Sequence, residues 1–330
     1  MIDAAVAADL VFQTSANEWA IQTLNGLFFG FILFMIASGL TIIFGVLGIL
    51  NLAHGEFYAL GALLLVSTAS YMTGVIVEPT DPASFAVFAA VVLLTVLASA
   101  VVLIPISAVI ETVLVRPIYD RDEVYQLLLT FGLLLVLVDL MKIVWGPGTH
   151  RPDAVGGESL NQALDVIPFQ DWFGFEYSSY NIFAIVAGAF VFLSLLWFFD
   201  RTKTGRIVRA TAINREMATA IGVSSDRVFT LVFAMGGFFA GLAGAIHSGS
   251  AIAASADMGG NALVLSFVVI VVGGLGSIRG AFVGAILIGV LSRWAIVIEP
   301  AAELAAPFAL MVFVLLLRPE GLYGTWGEIE

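Results

Sequence analysis

The 330-residue sequence contains no cysteine. That removes disulfide frameworks, thiolate metal sites and cysteine nucleophiles together. Charge is scarce as well, with Asp, Glu, Lys and Arg making up 12% of the chain. The only lysines are Lys142 and Lys203, and neither follows a glycine. No Gly-rich phosphate loop ending in Gly-Lys-Ser/Thr therefore exists, so ATP would have to be bound by another chain. Nucleophile-elbow and zinc-protease motifs are missing too, leaving an intramembrane hydrolase without support. A formal net charge of −12 argues against nucleic acid as a partner.

What is present is apolar. Hydrophobic residues make up 60% of the chain, against roughly 45–50% in ordinary globular proteins, and mean hydropathy is +1.05. A soluble fold of this length could not cover so much apolar surface. The 33 glycines and 26 phenylalanines suit helices that pack closely in lipid. The sequence predicts an all-α polytopic membrane protein with about eight or nine transmembrane helices, some broken or re-entrant. Apolar runs lie near 20–45, 51–73, 85–113, 125–145, 180–199, 228–248, 262–278, 280–298 and 305–317. They lack the period-2 alternation of a membrane barrel. Residues 1–19 read as an extracytoplasmic tail, 20–322 as the membrane domain and 323–330 as a cytoplasmic tail. The acidic stretch 1–18 lacks the basic region of a signal peptide.

Orientation follows from the basic residues, which collect on the cytoplasmic side. Six fall in one connection, 201–227: Arg201, Lys203, Arg206, Arg209, Arg215 and Arg227. Placing it inside puts Arg116, Arg121, Arg279 and Arg318 inside and Lys142, Arg151 and Arg293 towards the exterior. The expected topology is N-out, C-in. The exterior loop 146–179 is rich in aromatics, either an interfacial belt or a docking surface for an external partner.

Three segments depart from lipid-facing helix. In 44–61, Gly45 and Gly48 interrupt an apolar run before Asn51, His54 and Glu56 arrive. Such residues inside a bilayer face a cavity or partner; alternatively the segment is a cytoplasmic turn with Asn51 capping the next helix. His54 and Glu56 lack the further donors of a metal site. In 200–227, residues 214–222 read as a short helix capped by Asn214 and ended by Gly222, with Met217, Ala218 and Ile221 on one face opposite Arg215. That face invites a partner or lies on lipid headgroups. The third segment, Gly273-Gly274-Leu275-Gly276-Ser277-Ile278-Arg279-Gly280, splits the apolar run 262–298. It is either a pathway-forming break or a tight loop. Gly237 with Gly241, Ala240 with Gly244 and Gly280 with Gly284 are spaced for close helix packing, and Asp139 and Lys142 are spaced to pair along one helix.

At these segments the sequence resembles the H-type permease subunits of ABC importers for branched-chain amino acids. The resemblance rests on Gly39-Leu40-Thr41, Gly45-Val46-Leu47-Gly48 running into Asn51-Leu52-Ala53-His54-Gly55-Glu56, Glu111 with Arg116-Pro117, Thr204-Gly205-Arg206 through Ile221-Gly222-Val223, Gly273 to Ala281, and Arg318-Pro319. It implies a plasma-membrane permease that is not itself an enzyme and holds no cofactor, ATP and Mg being bound by the partner ATPase. It implies as partners a second permease of the M-type, two cytoplasmic ATPases and an extracytoplasmic solute-binding protein. Asn51, His54, Glu56, Gly273, Gly274 and Gly276 would then shape or gate the pathway. Gly205, Arg206, Arg209, Asn214, Met217, Ile221 and Gly222 would belong to the ATPase-coupling loop. Urea and short-amide permeases look much alike. An ion-coupled secondary transporter or channel is the rival class, and it would favour more acidic residues in mid-span than this chain has.

Overall fold

The computed structural model describes residues 16–72, 82–151, 177–250 and 252–324. Among them the chain is helical, with one isolated bridge between His150 and Ala254. The helices are α1 (Ala16–Leu47), α2 (His54–Met72), α3 (Pro82–Val101), α4 (Leu103–Ile110), α5 (Glu123–Trp145), α6 (Ser179–Arg201), α7 (Lys203–Ile213), α8 (Arg215–Ala220), α9 (Ser225–Gly249), α10 (Met258–Gly273), α11 (Ile278–Ile298) and α12 (Ala305–Leu317). A π-turn (Glu111–Val115) and a 3₁₀ turn (Arg116–Ile118) extend α4.

Six described segments are long and apolar enough to cross a membrane: Asn17–Leu47, Ala90–Ile118, Glu123–Trp145, Ser179–Arg201, Ser225–Gly249 and Ile278–Ile298. The apolar helices α10 and α12 are shorter. The nine apolar runs therefore do not translate into nine equal spans. The run expected at 85–113 continues to Ile118, and that at 51–73 begins only at His54.

The core is built around α1. It is apolar on every side, and Ile32 to Ala37, Leu40 and Ile43 are buried in protein, as expected of a helix with no polar face. On one side it runs antiparallel to α11, where a Cβ at Gly26 would lie 2.6 Å from Val290 Cα and one at Gly30 3.0 Å from Ile286 Cα. On another, Gly39 meets Gly236 of α9. Lipid tails give helices no hydrophobic reason to associate, so close approach through small residues holds such a bundle together. The glycine spacings read from sequence serve this purpose. Gly237 receives Ser107, Gly241 receives Leu103 and Gly61, Gly244 receives Tyr58, and Gly280 receives Gly273. Phe34, Phe192 and Phe282 tie α1, α6 and α11 together, the last two rings stacked at 3.9 Å.

The basic residues separate between the two ends of the bundle. At one end Arg209 and Arg279 share Asp200, at 2.7 and 3.6 Å, and Arg215 reaches Asp120. At the other, Arg293 pairs with Glu303 and Trp19 packs edge-on against Trp294. Lys142 pairs with Asp257 at 2.7 Å. Asp139, the partner expected from helical spacing, is not the residue Lys142 reaches.

Candidate functional site: a buried polar turn and an exposed helix

The chain leaves α1 at Leu47, turns at Gly48 with φ +69°, and folds back beside the helix it has just left. Asn51 Oδ1 accepts from the Ala53 N–H at 3.1 Å, closing a turn just ahead of α2. A turn at the aqueous end of two helices is not what forms, however. Asn51 and His54 are completely buried and Glu56 is 1% exposed. His54 Nε2 donates to the Ile36 carbonyl at 3.0 Å, and that carbonyl lies about 16 Å back along α1 from Leu47 at the α-helical rise. α2 therefore begins inside the bundle. A carbonyl can only accept, so the Nε2–H tautomer is fixed and Nδ1 is left as an acceptor.

The first turn of α10 meets the first turn of α2 at this depth. A Cβ at Gly259 would lie 2.6 Å from both oxygens of the Glu56 carboxyl group. The first turns of two helices thus meet at one carboxyl group. Asn51 Nδ2, His54 Nδ1 and Glu56 Oε2 are buried with no hydrogen-bond partner among the described residues. Buried polar atoms are normally paired, so three orphans within six residues mark a place held open to something other than packing.

The glycine-rich segment 273–280 closes as a tight turn. Gly274 and Gly276 adopt φ of +105° and +81°, which L side chains rarely take. Ser277 caps α11 by accepting from the Gly280 N–H at 3.1 Å. Residues 322 and 323 donate back to the carbonyls of Val272 and Gly273. The turn also meets the first segment, since a Cβ at Gly45 would lie 3.3 Å from Gly276 Cα.

The 201–227 connection forms two helices. Thr202 caps α7 through the Gly205 N–H at 2.9 Å, and Gly205 lets α7 lie against the backbone of Phe198 and Phe199. Asn214 caps α8 by accepting from the Met217 N–H at 2.8 Å. Gly222, at φ +92°, terminates it, with the Val223 N–H returning to the Ala218 carbonyl. Of the expected common face of Met217, Ala218 and Ile221, only Ala218 turns inward. Ala218 is 2% exposed and anchors the helix, whereas Met217 and Ile221 are 62% and 73% exposed. Met217 and Ile221 are four residues apart and point to the same side, whereas Ala218, one residue and about 100° on from Met217, faces the bundle. Arg206 is exposed, while Arg209 is engaged by Asp200. Ser225, the first residue of α9, is buried and its hydroxyl bonds that of Thr219.

A family model described as the permease component of branched-chain amino acid transport systems matches residues 22–317. The chain belongs to that family. It is a LivH-type ABC permease, a multi-pass plasma-membrane protein. It is 28% identical over 306 residues to the high-affinity branched-chain amino acid permease LivH of Escherichia coli K12, covering 92% of this chain and 94% of that one. To BraD of Pseudomonas aeruginosa it is 27% identical over 310 residues, covering 92% and 95%. A fructose import permease, FruF of Bifidobacterium longum, matches 27% over 123 residues, about a third of each chain. No solved structure matches.

A further polar site centres on Glu111 and Arg116, which the sequence reading quoted without a role, and adds Tyr119 and Thr230, which it did not single out. Glu111 is completely buried at the foot of the 90–118 span. It accepts from Arg116 Nε at 3.1 Å and Nη2 at 2.8 Å, from the Tyr119 hydroxyl at 2.7 Å and from Thr230 Oγ1 at 2.7 Å. Five residues apart on an α-helix are on opposite sides. The π-turn at Glu111–Val115 widens the helix so that the Arg116 N–H bonds the Glu111 carbonyl and the two side chains stack on one side. Burial, with the hydrogen bond to Glu111 next, holds the Tyr119 phenol above its ordinary range. It therefore remains a donor.

Proposed function

We propose that this permease forms half of the translocation pathway of an ATP-driven importer for branched-chain amino acids. It is paired with an M-type permease, two cytoplasmic ATPases and an extracytoplasmic solute-binding protein. In this reading the end carrying α7 and α8 is cytoplasmic, the N-terminus is outside and the C-terminus inside. α8 is the coupling helix. Met217 and Ile221 insert into an ATPase surface, Asn214 and Gly222 fix the ends of the helix, Gly205 seats α7 on α6, and Arg206 faces ATPase carboxylates. Arg209 holds α7 to α6 and α11 through Asp200.

The observation that carries this reading is the exposure of Met217 and Ile221 on a helix capped at both ends. Ordering six residues to display two large apolar side chains to water costs conformational entropy without return unless a partner covers them. Closure of the ATPases then moves α8, and the bundle rocks as a body because its helices meet backbone to backbone. Asn51, His54 and Glu56 gate the interior of the pathway, with Gly273, Gly274 and Gly276 shaping its cytoplasmic end next to Gly45. The solute-binding protein supplies most of the selectivity.

The test is co-purification from membranes containing all subunits. Met217→Asp or Ile221→Asp abolishes recovery of the ATPase with the permease and leaves recovery of the second permease intact. Undiminished ATPase recovery, or ion-gradient-driven uptake by this chain alone in liposomes, refutes the reading.

A further inference from the structure

The cluster on Glu111 joins two spans that are far apart in sequence. Glu111, Arg116 and Tyr119 belong to the foot of the 90–118 segment, and Thr230 to the second turn of α9. The Thr230 hydroxyl donates to Glu111 Oε2 and accepts from Arg116 Nη2, so the two spans are clasped at one end. Above the clasp they pack closely, the Ser107 side chain lying against Gly237 and the Leu103 side chain against Gly241.

The clasp also reaches α8. The Arg215 guanidinium lies 5.0 Å over the Phe229 ring, within the range of a cation–π contact. Phe229 in turn meets the Tyr119 ring edge-on at 5.2 Å, and Arg215 also approaches Asp120 at 3.9 Å. A continuous chain of contacts thus runs from α8 through Arg215, Phe229 and Tyr119 to Glu111. α9 follows α8 directly and would move with it in any case. The 90–118 span is remote from α8 in sequence; it packs on α9 at Gly237 and Gly241, and this route ties its foot to α8 as well.

We infer that Glu111 is a positioning residue for transport, clasping the 90–118 span to the foot of α9 so that displacement of α8 moves both spans as one unit. The inference rests on α8 being the ATPase-coupling helix. Glu111 suits the task because its carboxyl group is fully buried and takes four contacts that are charge-assisted or short, with Arg116 about a third exposed. A purely stabilising role would cost fold and coupling together. A clasp makes a different prediction, since without it ATP is hydrolysed but the stroke reaches only part of the pathway.

The experiment uses the complete importer reconstituted in proteoliposomes with its binding protein and leucine, measuring uptake and ATP hydrolysis in the same vesicles. Tyr119→Phe removes one hydroxyl and keeps both ring contacts, so it does not threaten folding; Glu111→Gln removes the charge. Both are expected to keep the ATPase bound and its hydrolysis stimulated, while leucine imported per ATP falls roughly tenfold, within the span by which substitutions along a coupling network act. Combining Tyr119→Phe with Arg215→Met should lower that ratio no further than the worse single variant, because both interrupt one route. An unchanged ratio in both Tyr119→Phe and Glu111→Gln overturns the inference, as does a double variant whose losses multiply. Met217→Asp, run in parallel, separates the two claims. If it releases the ATPase while the clasp variants transport normally, only the clasp fails. If the ATPase stays bound, the coupling-helix reading fails and the clasp goes with it.

Discussion

Gly259→Ala is the most direct probe of the buried turn. The three heavy atoms nearest to a Cβ at this position are Oε1, Oε2 and Cδ of Glu56, at 2.6, 2.6 and 2.7 Å. A carbon and an oxygen in ordinary contact sit well beyond 3 Å, so the carboxyl group must move. It is walled in, with Gly55 of the same turn already against the Gly259 carbonyl. Overpacking of this kind costs about 1–3 kcal/mol. Ala is otherwise the better helix former by about 0.5–1 kcal/mol. The sign of the substitution therefore depends on Glu56. In the natural background Gly259→Ala should be destabilising by roughly 1–2 kcal/mol net. In a Glu56→Ala background, with the three obstructing atoms gone, it should be neutral or stabilising. Thermal midpoints of the four purified proteins in detergent, followed by tryptophan fluorescence, form a double-mutant cycle. An equal penalty for Gly259→Ala with and without Glu56 would show that the carboxyl group does not occupy the junction of α2 and α10, and the account of converging helix ends would be abandoned.

Two further outcomes follow from the same geometry. Asn214→Ala removes the side-chain acceptor for the Met217 N–H and should weaken α8 by about 1 kcal/mol, seen as reduced ATPase recovery with global thermal stability unchanged. Asp257→Asn breaks the pair with Lys142; both groups are partly solvated, so the midpoint should drop by under about 1 kcal/mol equivalent and less at high salt, whereas Asp139→Asn should have no effect.

Much of the membrane domain is legible from hydropathy and glycine spacing, because both report on local requirements. Lipid demands apolar side chains all round, and close helix crossings demand small ones. The ends of α8 were legible for a similar reason, since Asn214 and Gly222 satisfy backbone groups within a few residues of themselves. The inward turn of Ala218 was not, because adjacent residues are about 100° apart and spacing alone does not say which side of so short a helix meets the bundle. The depth of Asn51, His54 and Glu56 was hidden too. Nothing in the run Asn-Leu-Ala-His-Gly-Glu says that the chain doubles back along α1 to meet Ile36. Glu111 and Arg116 were visible as residues but not as a pair, because a spacing of five puts them together only through a π-turn. Lys142 found Asp257 across the bundle, where helical periodicity could suggest only Asp139.

The central position of α1 bears on how the protein is made. Its neighbours α9 and α11 are synthesised long after it, so the most enclosed helix of the finished bundle must first wait in lipid with the glycines at 26, 30 and 39 unmatched. Contacts of such sequence separation form slowly. Assembly of the permease should therefore be governed by the late arrival of α9 and α11. Ribosome-bound fragments ending before Ser225 would present α1 to the quality-control proteases of the membrane, and those reaching beyond Ile298 would protect it.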